Sequence, residues 1–281
     1  MMNVPGQPYS PTPLGELRSA PAASAAPSPA VSPALVRNAM RDVAIVGSGV
    51  MMPALAAALA AGFGPGYVVM TLFWFVAGAL LVRHGLRRGT HPHARFGGAN
   101  RVTLLRLALA CLLVGLLCEA AWAPPLAAAG RAGLAWGVVA LATLTALLDA
   151  ADGPLARRSG LASAFGARFD METDAAFILV LCALVWQAGQ TGPWVLAAGL
   201  LRYAFVAAAR PWPWLAARLA PSRRRQTVCV VQITSLIICL APMVQPALAT
   251  ALAAASLALL SLSFAIDIRT LARARHPSLE T

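Results

Sequence analysis

Residues 133–174 read GLAWGVVALATLTALLDAADGPLARRSGLASAFGARFDMETD, and this stretch decides the fold. Its first part, 133–148, carries no charged side chain. With its flanks it reaches the roughly 17–25 residues that a helix needs to cross a bilayer. Its second part gathers Asp149, Asp152, Asp170, Glu172 and Asp174, five of the chain's ten acidic residues. Beyond Asp174 the chain turns apolar again. An apolar span ending in acids, with another starting from acids, describes a membrane protein whose polar chemistry sits at helix ends.

The rest of the chain agrees. Of 281 residues, 59% are hydrophobic and only 11% charged, against about 25% charged in a soluble domain. An ordinary soluble enzyme and a disordered or fibrous chain are both excluded. Apolar runs recur at 43–61, 66–82, 102–119, 133–149, 173–189, 193–209, 226–244 and 247–266, which predicts an all-α protein with about eight transmembrane helices. Gly62–Pro65 predicts a tight hairpin between the first two. Residues 1–36 hold eight prolines among Ala and Ser, a composition that cannot bury a core and predicts a disordered tail. The expected organisation is a Pro/Ala-rich cytoplasmic tail over 1–42, an extra hairpin over 43–82 and a six-helix domain over 83–281.

All 22 basic residues are arginine, and the net charge is +12. That charge does not point to nucleic acid, because the arginines fall between the spans. With 1–42 in the cytoplasm, only Arg131 lies on the far side, as the positive-inside rule requires. Trp122, Trp136, Trp186 and Trp194 then mark one interface, and Trp212 and Trp214 the other. The reading is a multi-pass protein of the inner (cytoplasmic) membrane with its active side facing the cytoplasm. Cys111, Cys118, Cys182, Cys229 and Cys239 all lie in apolar runs and read as packed thiols.

Asp149 and Asp152 are three apart, and Asp170 and Asp174 four apart, so each pair shares a helix face. Two such faces meeting would bring four carboxylates together at membrane depth, at a high cost unless a cation joins them. All-oxygen ligands suit Mg²⁺ or Mn²⁺, and a site for two divalent cations follows. The bland alternative, solvated charges balancing Arg157, Arg158 and Arg168, fits the apolar flanks and helical spacings less well.

The intervening residues sharpen the pattern. Asp149-x2-Asp152-Gly153-x2-Ala156-Arg157-x8-Gly166-x3-Asp170-x3-Asp174 fixes eight positions in 26 residues, and it resembles the signature of the CDP-alcohol phosphotransferase (CDP-alcohol phosphatidyltransferase) family at every one. Asn100-x2-Thr103-x2-Arg106 opens the third span in the manner of the family's first core helix. The resemblance covers about residues 96–270, six helices. It implies transfer of a substituted phosphate from a CDP-linked donor to a hydroxyl, with release of CMP. It further implies that Asp149, Asp152, Asp170 and Asp174 hold two divalent metals. Gly153, Ala156 and Gly166 would leave room for the nucleotide, Arg157 would contact donor phosphate, and Asp174 would act as catalytic base. Asn100 and Thr103 come with the same resemblance as substrate-binding candidates.

Arg106 and Arg202 lie inside spans and could reach a substrate phosphate, or could pair with acids or snorkel. Arg223, Arg224 and Arg225 are topological markers that could also form an anion site. Glu172 points away from the Asp170/Asp174 face and suits a salt bridge. Pro154 should end or kink its helix. His91 and His93, two apart around a proline, make a poor metal motif and are set aside.

The expected partners are a CDP-linked lipid donor, CDP-diacylglycerol ahead of the alternative of a CDP-amino alcohol, a small alcohol acceptor and the bilayer, with no nucleic acid. The Ala/Gly-rich faces permit a homodimer without showing it. Two rivals stay open. An intramembrane prenyltransferase also uses Asp-rich motifs and Mg²⁺, though with Asp residues four apart on both helices. A non-catalytic ion-coupled transporter would keep the carboxylates for ion passage.

Overall fold

The computed structural model describes residues 33–88, 91, 93, 95–119, 132–159, 163–217, 219 and 222–275, with the backbone alone at 150–159 and 275. The described residues form helices and no strand. The helices are α1 (Pro33–Ala60), α2 (Pro65–Arg87), α3 (Gly98–Cys118), α4 (Ala132–Ser159), α5 (Ala164–Gln187), α6 (Pro193–Ala208), α7 (Arg223–Cys239) and α8 (Pro246–Arg275). Four of them begin on proline, whose missing N–H costs nothing at a helix start. Of the expected features, most of the 1–36 tail, Trp122 and Arg131 lie outside the described residues.

Helices α1, α2, α3 and α8, and α4 up to Asp149, are long and apolar enough to cross a membrane, and α6 is a shorter apolar helix. Helix α5 carries Arg168, Asp170, Glu172 and Asp174 in its first half, and α7 opens on three arginines, so both mix span with site. The chain is an all-α membrane protein. The outer face of α2 shows why: Val69, Phe73, Val76, Leu80 and Leu81 are exposed together, a surface that is stable only against lipid.

Helix α3 is the axis. Two thirds (67%) of its span is buried, which follows from its being apolar on all sides from Ala108 to Leu113. It packs against α2, α4 and α5. Helix α5 packs in turn against α6 and α7, and α7 against α8.

Three boundaries differ from expectation. Helix α1 begins at Pro33, so 33–42 of the expected tail is helical, burying Leu35, Ala39 and Asp42. A π-helical turn at Gly47–Met51 interrupts α1, at the glycines where a helix is weakest. Helix α4 does not end at Pro154; it runs on to Ser159. A proline removes one backbone hydrogen bond from the helix, and the five residues after it still continue the helix.

Close helix approach rests on small residues. A Cβ on Gly199 of α6 would lie 2.6 Å from the Leu179 Cα of α5, so a side chain there must part the two helices. Gly199→Val is expected to destabilise the protein by about 1–3 kcal/mol, read as a lower melting temperature in detergent. A Cβ on Gly137 of α4 meets nothing within 4 Å. Gly137→Val should leave the melting temperature nearly unchanged, and equal effects at both positions would contradict the packing.

Candidate active site

Three helices deliver the site. Helix α4 places Asp149 at the end of its apolar run, one turn beyond the buried Thr145. Helix α5 starts after Ser163, whose Oγ accepts the Gly166 N–H at 3.0 Å as an N-cap. Two turns later, Asp170 and Asp174 share one face. One carboxylate oxygen from each of Asp149, Asp170 and Asp174 lies within 4.8 Å of the others.

Helix α3 supplies the counter-charge. Arg106 is fully buried. Its Nη1 lies 2.8 Å from Asp149 Oδ1 and donates to Asp170 Oδ1 at 2.6 Å, while its Nη2 donates to Asp174. One guanidinium faces three carboxylates, more negative groups than it can neutralise. The carboxylates remain 22–38% exposed, so the side away from Arg106 is open. Hard oxygen donors this close together fit a divalent cation of the Mg²⁺ or Mn²⁺ type.

That open side faces a cleft of about 880 Å³ lined by Ala167, Asp170, Met171 and Asp174 of α5, together with Ser222, Arg223 and Gln226 at the start of α7. The arginine run divides here. Arg223 lines the cleft, whereas Arg224 donates to the Ser263 carbonyl at 2.7 Å and to Asp267 at 2.5 Å. Arg225 lies 3.3 Å from the same carboxylate.

Other expected site residues fall as follows. Asn100 is buried, donates to the Phe96 carbonyl, and abuts Gly166. A Cβ on Gly166 would stand 2.7 Å from Asn100 Oδ1, so this glycine makes room for a neighbouring helix. Thr103 is buried and its hydroxyl donates to Ala99 O at 3.1 Å. Arg202 does not join the acid cluster in the pairs observed; it binds Glu172 at 2.6 Å. The salt bridge expected of Glu172 is therefore present, with α6 as its partner. The side chains of Asp152, Gly153, Ala156 and Arg157 lie outside the described residues; the α4 backbone carries all four.

Sequence reasoning passed over His91. It is buried, with Nδ1 2.7 Å from Ser163 Oγ and Nε2 2.9 Å from Arg95 O. The only local signal was Ser163 itself, a residue type suited to an N-cap; nothing in the spacing ties it to His91.

No curated protein and no solved structure matches the chain. A family model described as CDP-alcohol phosphatidyltransferase matches residues 96–264, more than half of the chain. The match spans Arg106, the three clustered aspartates and the cleft, and leaves α1, α2 and His91 outside. The chain therefore belongs to the CDP-alcohol phosphatidyltransferases, membrane enzymes that transfer a phosphatidyl group from a CDP-alcohol.

Proposed function

We propose that this protein transfers the phosphatidyl group of CDP-diacylglycerol to the hydroxyl of a small anionic alcohol, releasing CMP, at the cytoplasmic side of the inner membrane. The observation that carries the reading is the cleft in which Asp170 and Asp174 stand on one wall and Arg223 on another. A cation-binding wall suits a pyrophosphate donor, and an arginine beside it suits an acceptor that carries its own phosphate.

Asp149, Asp152, Asp170 and Asp174 would hold two divalent cations, Mg²⁺ or Mn²⁺, whose contribution is to neutralise charge on the attacking and leaving oxygens. Arg106 orients three of those carboxylates from behind. The acceptor oxygen forms a bond to the phosphorus that carries diacylglycerol, and the bond from that phosphorus to the CMP oxygen breaks. The hydroxyl proton passes to Asp174, and CMP leaves with the bonding electron pair. Gly153 and Ala156 would admit the nucleotide and Arg157 would contact donor phosphate.

The test is CMP release by the purified full chain with Mg²⁺ or Mn²⁺, CDP-diacylglycerol and a panel of anionic and neutral alcohols. Anionic acceptors should be preferred. Arg223→Gln should raise their KM about tenfold, the loss of roughly 1.4 kcal/mol from one charge-assisted contact, and leave the donor KM unchanged. Equal use of neutral acceptors would overturn the acceptor assignment. Release of pyrophosphate in place of CMP would indicate prenyl transfer.

A further inference from the structure

His91 lies between α2 and α3, ahead of the first residue of the family match. It is only 6% exposed, and the proposed chemistry does not use it. Its two ring nitrogens have different tasks. Nε2 faces the Arg95 carbonyl at 2.9 Å, and a carbonyl only accepts, so Nε2 carries the hydrogen. Nδ1 of the neutral ring then accepts from the Ser163 hydroxyl at 2.7 Å. With its hydrogen committed to His91, Ser163 Oγ turns its lone pairs to the Gly166 N–H. One chain of hydrogen bonds thus runs from the α2–α3 connection to the first turn of α5.

Aromatic packing follows the same route. The His91 ring meets Phe165 edge-on at 6.0 Å. Phe165 lies 6.3 Å from Phe96 and stacks at 5.9 Å on Phe169, the residue before Asp170. On the far side of Phe165 there is no slack, since a Cβ on Gly85 of α2 would come within 2.9 Å of its ring. The first turn of α5 is held by a segment that the family match does not include.

We infer that His91 is a positioning residue. By fixing the hydroxyl rotor of Ser163 it sets the first turn of α5, and so the placement of Asp170 and Asp174 relative to Asp149. This rests on the reading that those aspartates bind divalent metal. A purely packing role would change the melting temperature and leave metal affinity alone.

The probe is Mn²⁺ alone, titrated into the detergent-purified full chain and followed by the electron paramagnetic resonance signal of the free ion. Asp170→Asn should lose binding. His91→Ala should weaken it about fivefold, the equivalent of the roughly 1 kcal/mol carried by a helix N-cap. His91→Asn, whose Oδ1 can stand in for Nδ1, should come within about twofold of the parent. Ser163→Ala should match His91→Ala, and the double variant should be no weaker than either, because both break one chain. The inference is overturned when Asp170→Asn abolishes binding while His91→Ala and Ser163→Ala bind as the parent does, or when the two effects multiply in the double variant. Should Asp170→Asn itself bind Mn²⁺ normally, the metal-centre reading fails and this inference with it.

Discussion

Asp170→Asn is expected to lower the rate of CMP release by about three orders of magnitude or more, with the fold intact. The amide keeps the size of the carboxylate but loses its charge, and it replaces one of two oxygens with an NH₂ that a cation repels. Preorganised charge at a phosphoryl-transfer site accounts for most of the rate, and losing one such group commonly costs about 10²–10³ even without a metal. The structure should survive, because Arg106 retains Asp149 and Asp174 as partners. Glu172→Gln provides the control two residues away: Glu172 is 47% exposed and faces Arg202, so its variant should keep activity within about twofold, as surface pairs contribute little. The measurement is CMP release beside a melting curve. More than a tenth of parental activity in Asp170→Asn would remove Asp170 from the site.

Arg106→Met should produce the largest loss of stability. Three carboxylates meet around a guanidinium that is fully buried, and Met fills much of its volume with no charge. Removing one partner of a buried ionic cluster costs about 3–5 kcal/mol, since the remaining charges lose their compensation. The same argument gives the remedy. A divalent cation bound to those oxygens supplies the missing positive charge, so Mg²⁺ or Mn²⁺ should raise the melting temperature of Arg106→Met well beyond the shift it gives the parent. Melting in EDTA and in excess metal checks this for both proteins. Equal metal-dependent shifts would mean that guanidinium and cation do not share the same carboxylates.

The fold was legible because five of the described helices are apolar over a span-length run, and lipid makes that pattern nearly obligatory. The clustered aspartates were legible because acids are rare here and their helical spacings put Asp170 and Asp174 on one face. Arg106 was half legible. Its place inside a span marked it as unusual, yet the choice between substrate and acid partners depended on how three helices meet. His91 was not legible at all: its partner Ser163 is 72 residues away, and a search for ligand spacings is blind to a hydrogen bond across that distance. Of the two outcomes expected at Pro154, ending or kinking its helix, the first does not occur, because the following turns carry α4 on to Ser159.

Two acids outside the site, Asp42 and Glu119, tie the first hairpin to the axis. Buried Asp42 of α1 accepts from Arg101 Nε at 2.8 Å, and Glu119 accepts the Gly64 N–H at the start of α2 at 2.9 Å. Arg101 and Glu119 lie at opposite ends of α3, roughly 27 Å apart at 1.5 Å per residue. The α1–α2 hairpin is thus tied to the axis near both of its ends, α1 by Asp42 at one and α2 by Gly64 at the other. The α1–α2 hairpin, which lies outside the family match, is therefore joined to the family core at two separate points, and removing it would leave both Arg101 and Glu119 without these partners.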